Sequence, residues 1–161
     1  MARKPTRVYA DTSVFGALHD EVFAEIAKAF FMQAREGRFR LVVSELVEQE
    51  RRSAPEPVRL AFEALLPEME VAGDTDRAVA LQQAYLEAGV VARRWMYDAL
   101  HVAFATVSEC AVIVSWNFQH IVNLSRIPLY NAVNMVHGYR TIEIRSPMEV
   151  LEYDEGDQED L

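Results

Sequence analysis

Ala111-Val-Ile-Val-Ser115 is a short apolar run rich in β-branched residues. Such a run is typical of a strand buried on both faces, as the strands of a parallel sheet are. A similar run, Arg7-Val-Tyr-Ala10, lies near the start of the chain. Between and beyond these two runs, short strand-like segments alternate with longer segments of helical periodicity. This alternation predicts an α/β fold with a parallel sheet.

Five short strands are predicted, and helices are predicted between them from apolar periodicity and capping residues. The expected strands are Arg7–Ala10, Phe39–Val43, Glu70–Ala72, Ala111–Ser115 and Thr141–Ile144. The expected helices, with approximate ends, are 21–35, 45–52, 57–66, 76–88, 94–108, 118–123 and 129–137. A short helical turn is expected at Pro147.

The length and composition restrict the class of protein. A chain of 161 residues is expected to form one domain with a sizeable core. No apolar run approaches the roughly 20 residues that span a bilayer, and no apolar signal segment follows the basic residues 1–7, so a cytoplasmic protein without membrane contact is expected. A single cysteine, Cys110, excludes an internal disulfide framework and a cysteine-based zinc cluster.

The acidic balance is concentrated at one end of the chain. The formal net charge is −9, but seven acidic residues and no basic ones lie between Glu149 and Leu161. Without these seven, 18 acidic and 16 basic residues leave the body nearly neutral. The pattern predicts one domain over residues 1–148 and an acidic, disordered tail over 149–161, which either aids solubility or acts as an electrostatic mimic that competes for a basic groove.

Four polar residues are expected near one edge of the sheet. Asp11 directly follows the first strand, and Asn117 lies two residues after the strand that ends at Ser115. Glu50 lies on the helix after the second strand, and Asp98 lies on an apolar helix that leads into the 111–115 strand. Ligands of open parallel sheets gather beyond the carboxyl ends of the strands. This edge is therefore the expected functional site.

Converging carboxylates need a partner, because their negative charges repel one another. Oxygen ligands without a cysteine or histidine cluster suit Mg²⁺ or Mn²⁺, and such an ion supports phosphodiester hydrolysis. Each acid also has a structural interpretation. Asp11 can cap a loop and Glu50 can be a solvated helix residue, whereas Asp98 among apolar neighbours is the hardest to explain in this way.

Four motifs in this order resemble the PIN-domain ribonucleases, common as the VapC-like toxins of toxin–antitoxin pairs. The motifs lie between residues 8 and 144: Val8-Tyr-Ala-Asp-Thr-Ser13, Ser44-Glu-Leu-Val-Glu-Gln-Glu50, Asp98-Ala-Leu-His-Val-Ala-Phe-Ala105 and Val114-Ser-Trp-Asn-Phe-Gln-His120. The resemblance implies a three-layer fold in which helices flank a central, mostly parallel, twisted sheet. It also implies a metal-dependent endoribonuclease that leaves 5′-phosphate and 3′-hydroxyl ends.

The resemblance assigns roles to the four polar residues. Asp11, Glu50 and Asp98 match the positions that hold Mg²⁺ or Mn²⁺ and serve catalysis. Asn117 stands where the family usually has a fourth acid. It offers a neutral oxygen and weaker metal binding, so that either one or two metal ions are conceivable.

Further residues near these motifs are candidates for substrate contact. The candidates are Thr12, Ser13, Arg93, Arg94 and His120. Each also has a purely structural interpretation; arginines at a helix start, for example, are often simply solvated. His101 follows Asp98 by three residues and is interpreted as a packed or capping histidine, and Trp116 either stacks on a base or packs in the core.

RNA is the expected substrate, and the resemblance implies a small antitoxin partner and a homodimer. The alternative is a PIN-fold module with weakened catalysis that binds RNA or protein, which Asn117 and the acidic balance favour. A phosphatase acting on small phosphate esters is less well supported, because Asp11 is not followed by a second Asp two residues later. No glycine-rich phosphate-binding loop follows the first strand.

Overall fold

The computed structural model describes residues 4–153 and contains a sheet of five parallel strands. The strand order across the sheet is β3-β2-β1-β4-β5. The strands are β1 (Arg7–Ala10), β2 (Arg40–Ser44), β3 (Glu70–Ala72), β4 (Val112–Val114) and β5 (Glu143–Arg145). The predicted α/β class with a parallel sheet flanked by helices is confirmed.

The central strand β1 is buried, as its apolar sequence predicts. Val8, Tyr9 and Ala10 are buried, and Tyr9 pairs in register with Val42 on one side and Ile113 on the other. Burial of this strand on both faces explains why no polar alternation is visible in its sequence.

Helices cover the sheet, and most of them match the expected segments. They are α1 (Thr12–Gly16), α2 (Ala24–Arg35), α3 (Glu45–Arg51), α4 (Glu56–Leu65), α5 (Thr75–Glu87), α6 (Met96–Val107), α7 (Ile127–Val136) and α8 (Pro147–Val150). Gly37 and Gly89 follow α2 and α5 with φ of 78° and 73°, which is the left-handed conformation that ends helices at glycine.

Two local predictions differ from the structure. The five-residue helix α1 was not expected in the loop after β1. The helix predicted over 118–123 is wrong, because this segment consists of turns. The side chain of Asn117 accepts hydrogen bonds from the backbone N–H groups of Gln119 and His120, and such side-chain bonds compete with helix formation.

The core lies on both sides of the sheet. Residues 99–107 of α6 are all buried, and α6 packs against α5, β2 and β4. A cluster of aromatic rings forms the core under α1, where Phe15 lies 4.8 Å from Phe31 and 5.1 Å from Phe62 between ring centroids. Because most of α6 is buried, its first turn is held in place near the carboxyl-end edge of the sheet.

The C-terminal segment packs on α2. Ser146 and Glu149 form a capping box at the start of α8, and the backbone of Glu152 exchanges two hydrogen bonds with the side chain of Gln33. The boundary predicted after residue 148 therefore falls inside a helix. The remainder of the predicted acidic tail, 154–161, lies outside the described residues.

The sheet topology defines where a ligand site is expected. The chain runs from β1 outward to β2 and β3, and it then returns to place β4 on the other side of β1. The carboxyl ends of β1 and β4 thus flank the point where the strand order reverses, which is the usual position of ligand crevices in open α/β sheets. No helix among the described residues has the length and apolar character to cross a membrane.

Candidate active site

Asp11 lies directly after β1, at the reversal point of the sheet. Its side chain is 4% exposed and accepts hydrogen bonds from the hydroxyls of Ser13 at 2.5 Å and Ser115 at 2.6 Å. Burial raises the pKa of the Asp11 carboxyl, while His101 and the two hydroxyls lower it and the charge of Glu50 raises it again. The hydroxyls therefore do not offset the cost of burying this charge.

Glu50 lies on the last turn of α3, beside Asp11. One oxygen, Oε1, accepts hydrogen bonds from Thr12 Oγ1 at 2.7 Å and from His101 Nε2 at 2.6 Å. Partial burial opposes ionisation, but the hydrogen bond and charge of His101, together with the Thr12 hydroxyl, lower the pKa of Glu50. Glu50 is therefore held as a carboxylate, whereas burial disfavours the charge of Asp11.

His101 is fixed by a chain of buried polar groups. Its Nδ1 lies 2.9 Å from the hydroxyl of Tyr9, which lies 2.7 Å from Oγ of Ser44. His101 is 3% exposed. The sequence interpretation as a packed histidine describes its burial, but it missed the contact with Glu50. Only the spacing from Asp98 hinted that His101 belongs to the site.

Asp98, on the first turn of α6, is also paired with a histidine. His120 Nδ1 lies 3.0 Å from Oδ2 of Asp98, and the His120 ring stacks on Trp95 with centroids 4.2 Å apart. The backbone carbonyl of His120 accepts a hydrogen bond from the buried hydroxyl of Tyr130. His120 therefore faces the site, and within the described residues the hydrogen bond of its side chain is with Asp98.

Asn117 connects the two parts of the site. Its backbone N–H donates to Ser115 Oγ at 2.9 Å, and its side-chain oxygen accepts from the backbone N–H of His120 at 2.9 Å. Because Ser115 contacts Asp11 and His120 contacts Asp98, a continuous path of hydrogen bonds links these two acids. Ser115 was missed by sequence reasoning, because a serine at a strand end carries no signal of its own.

The other predicted contact residues differ in their positions. Thr12 and Ser13 lie in the site, where Ser13 Oγ also accepts a hydrogen bond from the Trp116 backbone N–H. The guanidinium of Arg94 lies 5.3 Å from the centroid of the Trp95 ring, at the margin of the site. Arg93 is exposed, and both arginines belong to the short 3-10 helix Arg93–Trp95 that precedes α6. The ring of Trp116 packs 4.5 Å from Phe23, as the core interpretation expected.

The oxygen donors of the site fit a divalent cation in part. Carboxylate oxygens suit Mg²⁺ or Mn²⁺, and the buried charge of Asp11 beside Glu50 would be relieved by a cation. Within residues 4–153, however, no three or more His, Cys, Asp or Glu side chains are placed to hold a metal ion. Glu50 and Asp98 already have histidine partners, so that metal binding would compete with those contacts. The joint ligand role of Asp11, Glu50, Asp98 and Asn117 stays a prediction.

Comparison with known proteins gives a structural similarity of low sequence identity. No family model and no curated protein matches the sequence. Among solved structures, the chain is similar to VapC20 of Mycobacterium tuberculosis, a sarcin-ricin loop cleaving toxin, with 13% identity and a TM-score of 0.47. The match covers 84% of this chain and 98% of VapC20. A likeness at this level assigns no role to any residue of the site.

Proposed function

We propose that the chain is a PIN-type ribonuclease that hydrolyses RNA phosphodiester bonds with the help of Mg²⁺ or Mn²⁺. The observation that carries the proposal is Asp11, a carboxylate buried beside Glu50 at the point where the strand order reverses. Burial of a charge without a full set of partners is costly. A functional requirement at this position explains why the fold retains the buried carboxylate of Asp11.

The surroundings of the acids suit them to different tasks. Because burial raises the pKa of Asp11, its carboxylate is the stronger base of the pair and is suited to take a proton from the attacking water. Glu50, held ionised by His101 and Thr12, supplies a fixed negative charge. Asp98 is the alternative proton acceptor, with His120 at 3.0 Å.

In the proposed reaction, the oxygen of a water molecule bonds to phosphorus and the bond from phosphorus to the 3′-oxygen breaks. One proton of the water passes to a carboxylate oxygen of Asp11 or Asp98, and the leaving 3′-oxygen takes a proton from a solvent water to become a hydroxyl. A divalent ion, when bound by Asp11, Glu50 and Asp98 with the help of Asn117, neutralises phosphate charge and favours deprotonation of water. The products carry 5′-phosphate and 3′-hydroxyl ends.

The proposal extends to the biological setting. We infer a toxin that acts in the cytoplasm as a homodimer and is inhibited by a small antitoxin protein. The anionic site supports this partner, because an arginine reaching into it would pair with the carboxylates of Asp11 and Glu50.

The test is cleavage of a mixed RNA pool by the purified chain with Mg²⁺, with Mn²⁺ and with a chelator. Asp98→Asn is the matched variant, because it removes one charge and keeps the side-chain volume. We expect cleavage that requires the metal and is lost in the variant. The new ends should carry 5′-phosphates, measured by their ligation to an adaptor that requires them.

A binding module without catalysis is the second candidate. The observation in its favour is that Glu50 and Asp98 each have a histidine partner, so that part of the negative charge is compensated by the protein. If native chain and Asp98→Asn cleave equally, the cleavage is a contaminant and the binding module is the better explanation.

A further inference from the structure

A depression of about 290 Å³ lies beside Glu50, between α3 and the first turn of α6. It is lined by Leu46, Gln49, Glu50 and Tyr97. Tyr97 directly precedes Asp98 in the chain, so that the depression adjoins two of the residues assigned to catalysis. None of Leu46, Gln49 and Tyr97 takes part in the mechanism proposed above.

The depression is lined by an aromatic ring, an apolar side chain and an amide group that has no hydrogen bond within residues 4–153. Leu46 is 5% exposed and forms apolar surface, whereas the Tyr97 ring is 56% exposed. Within residues 4–153, the Gln49 amide and the Tyr97 hydroxyl form no hydrogen bond. The amide offers both donors and acceptors for a ligand.

These features match a planar ligand with polar groups along its edge. An aromatic ring stacks on any nucleobase, and a glutamine amide bonds with the donors and acceptors on a base edge. No Lys or Arg lines the depression, which argues against phosphate as the group bound there. A base in a duplex is covered on both faces by its neighbours, whereas an unpaired base can be splayed out.

We propose that the depression binds one unpaired nucleobase of the RNA, next to the phosphate that is hydrolysed. The base stacks on the ring of Tyr97, and its edge bonds with the Gln49 amide above the side chain of Leu46. The proposal rests on the proposed ribonuclease function and adds a requirement for single-stranded RNA. Tyr97 supplies affinity for every base, and Gln49 supplies preference among bases.

The test measures binding of labelled single-stranded RNA of about 12 nucleotides by fluorescence anisotropy. Ca²⁺ replaces Mg²⁺, and the RNA is checked for integrity on a gel. We expect the native chain to bind the single strand more tightly than the corresponding duplex. Tyr97→Ala should weaken binding about tenfold, and Tyr97→Phe should bind like the native chain because it keeps the ring.

Matched controls distinguish the loss of the Tyr97 ring from a nonspecific effect of substitution on RNA binding. Tyr153 is 56% exposed, as Tyr97 is, and lies in the C-terminal segment that packs on α2, so Tyr153→Ala should bind like the native chain. Gln49→Ala should change the order of affinity among oligomers of A, C and U. Equal melting temperatures of the variants would show that the effects do not arise from unfolding.

The outcomes distinguish this proposal from the proposed function. Equal binding of Tyr97→Ala and native chain, or equal binding of duplex and single strand, overturns the base site even if the chain cleaves RNA. Absence of RNA binding by the native chain also overturns it. If the native chain binds as expected but cleaves no RNA with Mg²⁺ or Mn²⁺, the base site stands and the hydrolytic function fails. If the Tyr97 surface binds a protein ligand and no RNA, the proposal is likewise overturned.

Discussion

Asp11, in the crevice between β1 and β4, is hydrogen-bonded by serine hydroxyls, whereas Glu50 on α3 and Asp98 on α6 each have a histidine partner on the α6 side of the site. The pKa of Asp11 is raised by burial, and that of Glu50 is lowered, in spite of partial burial, by His101 and Thr12. Glu50 and Asp98 thus each have a histidine within hydrogen-bond distance, whereas only hydroxyls are hydrogen-bonded to Asp11, and His101 acts on Asp11 through its charge alone.

The difference indicates where an external cation would matter most. On the α6 side, a cation competes with an existing histidine contact. In the crevice, it relieves a buried charge that hydroxyl groups stabilise incompletely. Substitutions on the two sides should therefore differ in the sign of their effect on stability as well as in their effect on activity.

Asp11→Asn should have the largest effect, a loss of RNA cleavage of about 100-fold or more. Without metal, the variant should melt at the same temperature as the native chain or higher, because it removes a charge that burial disfavours. Mg²⁺ should raise the melting temperature of the native chain by mass action and that of the variant much less. A variant that melts far lower in metal-free buffer would show that Asp11 is structural.

The pH dependence of stability sharpens the contrast, with Glu50→Gln as the matched variant. The raised pKa of Asp11 means that its stabilising contribution is full below the ordinary value of 3.8 and is lost as pH rises. The lowered pKa of Glu50 means that its contribution is present above 4.5 and is lost as pH falls. In metal-free urea unfolding at pH 7, Asp11→Asn should gain stability and Glu50→Gln should lose it. Both differences should vanish in acid, and a shared sign at pH 7 would contradict the contrast.

His101→Ala should destabilise the chain by about 2–4 kcal/mol, because it leaves a cavity and removes one of the two partners of the buried Tyr9 hydroxyl. The pKa of Glu50, followed by NMR of its side-chain carboxyl, should rise from its lowered value. His120→Ala is the control, since His120 is equally buried but contacts Asp98. It should lower stability without moving the pKa of Glu50. An unchanged Glu50 pKa in His101→Ala would exclude His101 as the group that keeps Glu50 ionised.

The inner strands of the sheet could be predicted from sequence because they are largely buried. Val8 to Ala10 and Val112 to Val114 form continuous apolar runs with β-branched residues, and this pattern needs no knowledge of distant contacts. The short helix α1 was not predicted. The turns over 118–123 were missed because hydrogen bonds to the Asn117 side chain favour turns there over a helix.

The positions of Asp11, Glu50 and Asp98 near the sheet edge followed from topology, but their partners did not. His101 is three residues from Asp98 in the chain, but its side chain contacts Glu50, which is 51 residues away. His120 is three residues from Asn117, but its side chain contacts Asp98, which is 22 residues away. Such long-range pairs depend on the packing of α6 against β2 and on the path of the turns after β4. A single sequence contains no signal for that choice of partner.

Asn117 should show the smallest effect and tests the link between the two sides. Asn117→Ala removes the acceptor for the backbone N–H groups of Gln119 and His120 and should cost about 1 kcal/mol in urea unfolding. Asn117→Asp keeps an acceptor oxygen and adds a charge, so it should retain stability and bind Mn²⁺ more tightly by calorimetric titration. If Asn117→Asp folds normally but binds Mn²⁺ no better than the native chain, the side chain at 117 serves only the turn. In that case residue 117 is not a metal ligand, and Asp11, Glu50 and Asp98 alone are left to hold the ion.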